Sequence, residues 1–429
     1  MNHSIEEDII AYRRHFHRHP ELGWLEYCTA AFIADELLNL GFEVKTGHEV
    51  MHVDNLMGLP AEQDNVIAFE KAEKIFGQEK MQTFANNSTA VAGILKCGDG
   101  PCVAIRVDMD ALPITESNAS DHFPNQAGFV SESRGVMHAC GHDAHMAIGL
   151  GLAQYLAKYK DQLDGNYILL FQPAEEGVRG AASIVKSGFL KNVDYLLAAH
   201  MWSNMPLGKV VCSQNGTAAT DKLDVTFYGK AVHAGICPEK GNNAILAAAN
   251  TILALHEIQF IGEGLKRVNI GRMEGGTARN IIADRAKLEI ELRADSQIGE
   301  FELLEKLEGI VKASAHKEGC SFEIKKVGEA SAARGDDSLA KLISDEANNM
   351  NCFRDVILSD KTNRGSEDFT SLMIDVQTRG GKACFVGVGA SPDKDLEHHT
   401  PDFDIAEAAL NSTAVLFFNL IKRLKKEHL

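Results

Sequence analysis

Apolar positions along this chain follow two different periods. Near the N-terminus Ile5, Ile9, Tyr12 and Phe16 recur at the spacing of one helix face, and Ser4 with Glu7 has the form of a capping box that would start it. A second helix is predicted from about Thr29 to Leu40, with Gly41 as its stop. Phe42 to Val44 opens an extended stretch. Residues 47–88 then break the rhythm. Gly58 and Pro60 mark a turn, and Val66 to Phe84 reads as a polar-faced helix, so this stretch looks like an insertion between strands. Beyond it, continuous apolar runs predict buried strands at Cys102–Val107, Tyr167–Phe171, Asp194–Ala199 and Ala383–Val388. Helices are predicted from Asp143 to Tyr159 and from Asp337 to Asn349. Apolar strands alternating with helices indicate an α/β sheet covered on both faces. Three of the strands run into polar residues: Asp108 and Asp110, then Glu175 and Glu176, then His200. In open α/β sheets ligands bind at that end of the strands.

The pattern changes near residue 214. Lys222 to Tyr228, Arg267 to Met273 and Ala286 to Ala294 alternate polar and apolar residues, as half-exposed strands do. Helices are predicted at Asn243–Ile258 and Glu300–Lys317, and a last strand at Ser321–Val327. The order β-α-β-β-α-β is that of a ferredoxin-like unit. The expected organisation is a catalytic domain over 1–213 and 329–429, with a second domain at 214–328 inserted in it.

Composition narrows the function. The 429 residues carry 43 basic and 60 acidic side chains, a net charge of −17. That balance argues against nucleic-acid or anionic-membrane binding, which need Lys/Arg patches. No apolar run approaches the ~20 residues of a membrane span, and the N-terminal stretch lacks an apolar signal core. Nine scattered cysteines form no disulfide framework, and a reducing, cytoplasmic setting is the simpler expectation. Walker A, complete GxGxxG and GxSxG motifs are absent from the sequence, so nucleotide and serine-hydrolase readings lack their signatures.

The chemistry-bearing residues fall in a few places. His138, Cys140, His142, Asp143 and His145 lie within eight residues. Thiolate, imidazole and carboxylate together suit zinc and neighbouring first-row metals, with carboxylate extending the range to manganese. The cluster alone implies a metal but no reaction. Glu175 and Glu176 follow a buried strand, where two adjacent carboxylates need nearby cations. One could bind metal while the other acts as a base. His200 is as readily a satisfied core histidine as a ligand. His398 and His399 precede Thr400-Pro401 and are plausible closing ligands, or simply exposed. His233 sits in the inserted segment, where a surface-turn histidine is a strong alternative. Ser366 could cap a helix.

Taken together, MHACGHDAHMAIGLG, FQPAEEGVRGA, AAHMW, GKAVHAGICPEKGNNA, GGTARNII and GSEDF resemble the metal-dependent amidohydrolase/aminoacylase family, which includes hippurate and indole-acetyl-amino-acid hydrolases. The N-terminal run RRHFHRHPELGWLE matches as well. The resemblance implies an α/β, doubly wound metallopeptidase-like catalytic domain with an inserted ferredoxin-like lid or dimerisation domain. It implies two divalent metal ions, Zn2+ or Mn2+, held by Cys140 as bridge with His142, Glu176, His200 and His399. Glu175 would be general base and acid. His233 would reach a partner's active site across a dimer to stabilise the oxyanion, and Arg279 and Asn280 would lie near the substrate carboxylate. His138 and His145 take supporting roles. The implied substrate is an N-acyl amino acid, p-aminobenzoyl-glutamate foremost and other aromatic acyl amino acids next. A homologous B subunit is an implied partner. A non-catalytic metal-binding subunit is the competing class, and the intact Glu175 beside Glu176 argues against it. Arg106 stands where peptidase branches carry a metal-binding histidine, and the 47–88 stretch is extra relative to the hippurate-type enzymes.

Overall fold

The structure is a computed structural model describing residues 4–54, 56–258, 264–362, 365–392, 394 and 396–424. It divides into two compact units. One comprises residues 1–216, 333–363 and 368–429, and the other residues 217–332 and 364–367.

The larger unit is built on an eight-stranded sheet of order β1-β2-β4-β3-β5-β12-β6-β11. Its strands are β1 (Glu43–Thr46), β2 (Val91–Lys96), β3 (Cys102–Asp108), β4 (Asn166–Gln172), β5 (Tyr195–Pro206), β6 (Lys209–Val211), β11 (Asp355–Ile357) and β12 (Lys382–Ser391). The centre is parallel, through β4/β3, β3/β5 and β5/β12, while β1/β2, β2/β4 and β6/β12 are antiparallel. Successive side chains of a strand face opposite ways, and here both faces are covered. Val103, Ile105, Tyr167, Leu169 and Phe171 join one core with the helices Ile5–Arg18, Tyr27–Asn39, His142–Lys158 and Ala408–Arg423. Ala104, Ile168, Leu170, Leu196 and Ala198 join a second core with Ala181–Ser187 and Phe369–Thr378. Each large apolar side chain so buried stabilises the unit by roughly 1.5–3 kcal/mol before entropy is counted. The capping box forms, with Ser4 accepting from Glu7 N–H and the Glu7 carboxylate accepting from Ser4 N–H.

Three details differ from the sequence expectation. β2 is an additional strand, masked in the sequence by Gly93, whose missing side chain makes room for Leu37 and Phe42. β5 extends to Pro206, so His200 lies inside a central strand opposite Gly387 of β12, and not past the strand's end. The helix in the 47–88 stretch is Glu62–Phe76, ended by Gly77, and short turns cover 78–84.

The smaller unit contains β7 (Ala219–Tyr228), β8 (Lys266–Gly275), β9 (Arg285–Ala294) and β10 (Ser321–Ala330), with helices Ala244–His256 and Gln297–Lys317. The sheet order is β10-β7-β9-β8, antiparallel throughout. That is the pairing a βαββαβ chain makes when both helices pack on one face, and Leu223, Val225, Leu288, Ile290, Leu303 and Leu307 form its core.

Candidate metal centre

The centre begins at a backbone reversal. Gly141 caps the helix His142–Lys158 with φ at +92°, a left-handed conformation that glycine adopts without penalty. The reversal leaves Cys140 before the helix and makes His142 its first residue. His142 Nδ1 donates to the Asp110 carbonyl at 2.8 Å, which leaves Nε2 as the nitrogen able to offer a lone pair to a metal. That Nε2 is buried and has no hydrogen-bond partner among the described residues. Donor atoms of Cys140, His142 and Glu176 lie within 4.8 Å of one another. Cys140 Sγ is 3.5 Å from His200 Nε2, and His399 Nε2 is 3.3 Å from Glu176 Oε1. The five residues expected as ligands therefore converge, from two loops, one helix end and one central strand.

The carboxylate pair is held by backbone bonds. Asp110 accepts the N–H groups of both Glu175 and Glu176, one on each oxygen, at 2.9 Å. Buried Glu26 accepts Ala174 N–H at 2.8 Å. Ala174 sits at φ +51° and His399 at φ +61°, left-handed conformations that cost side-chain-bearing residues about 1–2 kcal/mol each. Such strain gathers at functional sites. Glu175 Oε2 lies 3.8 Å from His142 Nε2. Arg179 donates to the Glu176 carbonyl and to the Gly58 carbonyl, both at 2.8 Å, so the 47–88 stretch is tied to the same turn.

Charge at the site favours a cation. Burial pushes the Cys140 thiol well above its usual range, and the Glu176 carboxylate adds to this. Burial opposes charge on His142, but the Asp108 carboxylate and the hydrogen bond to Asp110 outweigh it and hold the imidazole well up. Burial and Asp110 together raise Glu26 to about 8. His145 faces Asp108 and His142 closely enough to suggest a further ligand triad. Its nitrogens are already committed, however: Nε2 accepts Met201 N–H at 3.0 Å, and Nδ1 lies 2.6 Å from Asp108. His145 therefore ties Asp108 at the end of β3 to Met201 within β5. His138 is buried, and burial pushes its imidazole down to about 3.

The family model described as Peptidase family M20/M25/M40 matches residues 104–423. The chain belongs to this family. It is 38% identical over 409 residues to the A-type component of p-aminobenzoyl-glutamate hydrolase from Escherichia coli (strain K12), covering 95% of this chain and 93% of that one. The crystal structure of the aminobenzoyl-glutamate utilization protein from Klebsiella pneumoniae superposes with a TM-score of 0.84 at 33% identity, covering 98% and 96%. The Bacillus subtilis YXEP protein, described as a dinuclear metal binding peptidase from the M20 family, superposes with a TM-score of 0.67 at 25% identity, covering 98% of each chain. As a member of the M20/M25/M40 family the chain is a hydrolase.

The residues present fit the two-metal centre of that family. Among the described residues, buried His142 Nε2 and Glu176 Oε1 have no hydrogen-bond partner, and a cation would relieve both. Arg106 is not a donor. Its guanidinium is buried, donating to Asp108 at 2.7 Å, Gln172 at 2.9 Å and Asp368 at 3.0 Å. It neutralises carboxylates beneath the site. Glu26 is a site residue that motif reading missed; the sequence marked Asp110 only as ending a buried strand and Arg106 only as standing in a histidine's place, neither with these partners.

The remaining expected residues lie in the smaller unit. His233 is bridged to Ile281, and Ala234 N–H donates to the Asn280 carbonyl at 2.9 Å, so His233 and Arg279-Asn280 share one exposed loop cluster. A separate cavity of about 610 Å³ lies at the opposite, amino ends of the parallel strands, beside Cys102, Asn166, Tyr195 and Lys382, away from the donor set.

Proposed function

We propose that this chain hydrolyses the amide bond of an N-acyl amino acid, p-aminobenzoyl-glutamate foremost, at a two-metal centre of Cys140, His142, Glu176, His200 and His399. The observation that carries the reading is the convergence of Cys140, His142 and Glu176, with the His142 tautomer set by Asp110 so that Nε2 faces its neighbours. Substrate choice rests on the similarity to the Escherichia coli and Klebsiella pneumoniae proteins.

Zn2+ or Mn2+ in this centre would supply Lewis acidity to water and carbonyl. The protein's part is proton handling and orientation. Glu175 takes a proton from the attacking water as the new C–O bond forms. It returns that proton to the amide nitrogen as the C–N bond breaks, releasing acid and amine. His233, contributed by a second copy or by a homologous B subunit, donates to the developing oxyanion. Arg279 and Asn280 pair with the substrate carboxylate. Dimerisation through the smaller unit is supported by two features. β8 is a sheet edge, and Leu246 and Leu253 stand exposed one helical heptad apart on the neighbouring helix. All nine cysteines are free, which supports a reducing, cytoplasmic setting. No helix of the described residues is long and apolar enough to cross a membrane.

The test is a hydrolysis panel on metal-stripped and on Zn2+- or Mn2+-reconstituted protein, using p-aminobenzoyl-glutamate, benzoyl-glycine and acetyl amino acids. The reading expects metal-dependent release of p-aminobenzoate in preference to the others. Fully metallated protein that cleaves none of these amides would sink it.

A further inference from the structure

The turn that carries Glu175 and Glu176 is strained along its length. Ala174 lies at φ +51°, Gly177 at +87° and Val178 at +58°. Glycine takes that region freely. For a β-branched residue such as Val178 it is an outlier. Residues held there persist only where their surroundings over-determine them. The turn therefore needs braces. Within it, the Ala174 carbonyl accepts Arg179 N–H at 3.2 Å and Gly180 N–H at 2.9 Å. On its N–H side, Glu26 and Asp110 hold residues 174–176. On its carbonyl side the brace is Arg179.

Arg179 folds back over its own turn. Nε donates to the Glu176 carbonyl and Nη1 to the Gly58 carbonyl, both at 2.8 Å. A guanidinium is planar and its donors form a rigid fork, so the two bonds fix one carbonyl relative to the other. The third nitrogen, Nη2, lies against Gly23, where any side chain would collide with it. The far end of this tie is itself anchored. Buried Trp24 donates Nε1–H to the Met57 carbonyl at 2.8 Å, next to Gly58. The start of the same 47–88 stretch grips the helix Ala181–Ser187 that follows the turn. His52 N–H donates to the Ser183 carbonyl at 2.9 Å, and Ser187 Oγ donates to the Val50 carbonyl at 2.7 Å.

We propose that Arg179 is a positioning residue through which the 47–88 stretch braces the Glu175–Glu176 turn and holds Glu176 in place for its metal. The stretch is then a strut for the metal centre, and its contribution passes through one guanidinium. The inference rests on the proposed ligand set, in which Glu176 binds metal. Partners that orient a ligand from behind are worth about 10–100-fold in metal affinity.

The experiment uses full-length protein, with Arg179→Met and Arg179→Lys beside wild type. Methionine keeps the apolar stem and removes the donors. Lysine keeps the charge but lacks the fork that spans two carbonyls, and it remains informative where Arg179→Met does not fold. Stepwise Zn2+ affinities are measured by competition with a chromophoric chelator, and amide hydrogen exchange is followed in the metal-stripped protein. In both variants one Zn2+ should bind about 10–100-fold more weakly while the other keeps its affinity. Exchange should rise together over 56–59 and 174–180 and stay unchanged in β3 and β5. Two unchanged Zn2+ affinities would overturn the brace. So would faster exchange over 174–180 with none at 56–59, which would confine Arg179 to its own turn. Equal weakening of both metals, with exchange raised throughout the larger unit, would make Arg179 a general stabiliser and overturn the proposal as well. Wild-type protein that binds fewer than two Zn2+ would instead remove the proposed ligand set, and with it this inference.

Discussion

Replacing Arg106 with methionine should expose how the site's negative charge is tolerated. Arg106 donates to Asp108 at 2.7 Å and to Asp368 at 3.0 Å, and all three side chains are buried to within 1%. Methionine keeps the apolar stem and removes the charge. Asp108 then retains His145, and Asp368 retains Gln172 and Ala181 N–H, but no guanidinium lies between the two carboxylates. Stranding a buried charge by deleting its partner costs about 3–5 kcal/mol, a large part of a typical stability of about 5–15 kcal/mol. The chain's two tryptophans, Trp24 and Trp202, both lie in the larger unit, so intrinsic fluorescence during urea unfolding reports on that unit alone. Arg106→Met should lower its urea midpoint by the equivalent of that loss in metal-stripped protein. Adding Asp368→Asn, which removes one stranded charge and keeps amide hydrogen bonding, should recover at least about 1 kcal/mol. A loss below about 1 kcal/mol in the single variant, or a double variant weaker than the single, would refute the reasoning.

Other outcomes follow from the same geometry. Glu175→Gln should keep its metals and lose about 10²–10⁴-fold in turnover; normal turnover with full metal content would remove Glu175 as the base. Gly141→Ala meets no atom nearer than 3.6 Å, so its cost is backbone strain of about 1–2 kcal/mol, measurable as a lower midpoint with weakened metal retention. His17 donates towards Asp143 at 2.8 Å and Glu116 at 2.9 Å. Burial opposes its charge, but the two carboxylates win and raise the imidazole to about 9. A raised histidine contributes stability that is complete below the unfolded value near 6.5 and is lost as pH rises through 9. The difference corresponds to about 3 kcal/mol, and His17→Gln should flatten the stability profile between those limits. An unchanged slope would show that His17 is not ionised in the fold.

Much of this was legible before any coordinates. The apolar strands announced the parallel sheet because strands buried on both faces leave long unbroken runs. The βαββαβ order was readable because half-exposed strands alternate. Cys140 and His142 stood out as part of a dense donor cluster and Glu175-Glu176 as a carboxylate pair after a buried strand, whereas His200 read equally well as a core histidine. What stayed hidden depends on pairing across the chain. β2 is short and interrupted by Gly93, and its identity comes from β4 beside it. Glu26 looks like an ordinary polar residue in a string, and Asp110 and Arg106 stand there without their partners. Their roles arise from partners 148, 65 and 262 positions away. The tie between the 47–88 stretch and the Glu176 turn, made by Arg179, has no local signature either.

The grip of Asp110 on two successive N–H groups bears on how this site can be redesigned. Because one carboxylate clamps the backbone of both Glu175 and Glu176, the proposed base and its proposed metal-binding neighbour behave as a single cast part. A directed-evolution campaign aimed at larger acyl groups could not widen the pocket by shifting one glutamate and leaving the other. Adaptive changes should therefore accumulate in the walls around the clamp, while libraries randomised at Asp110 should return almost nothing but aspartate.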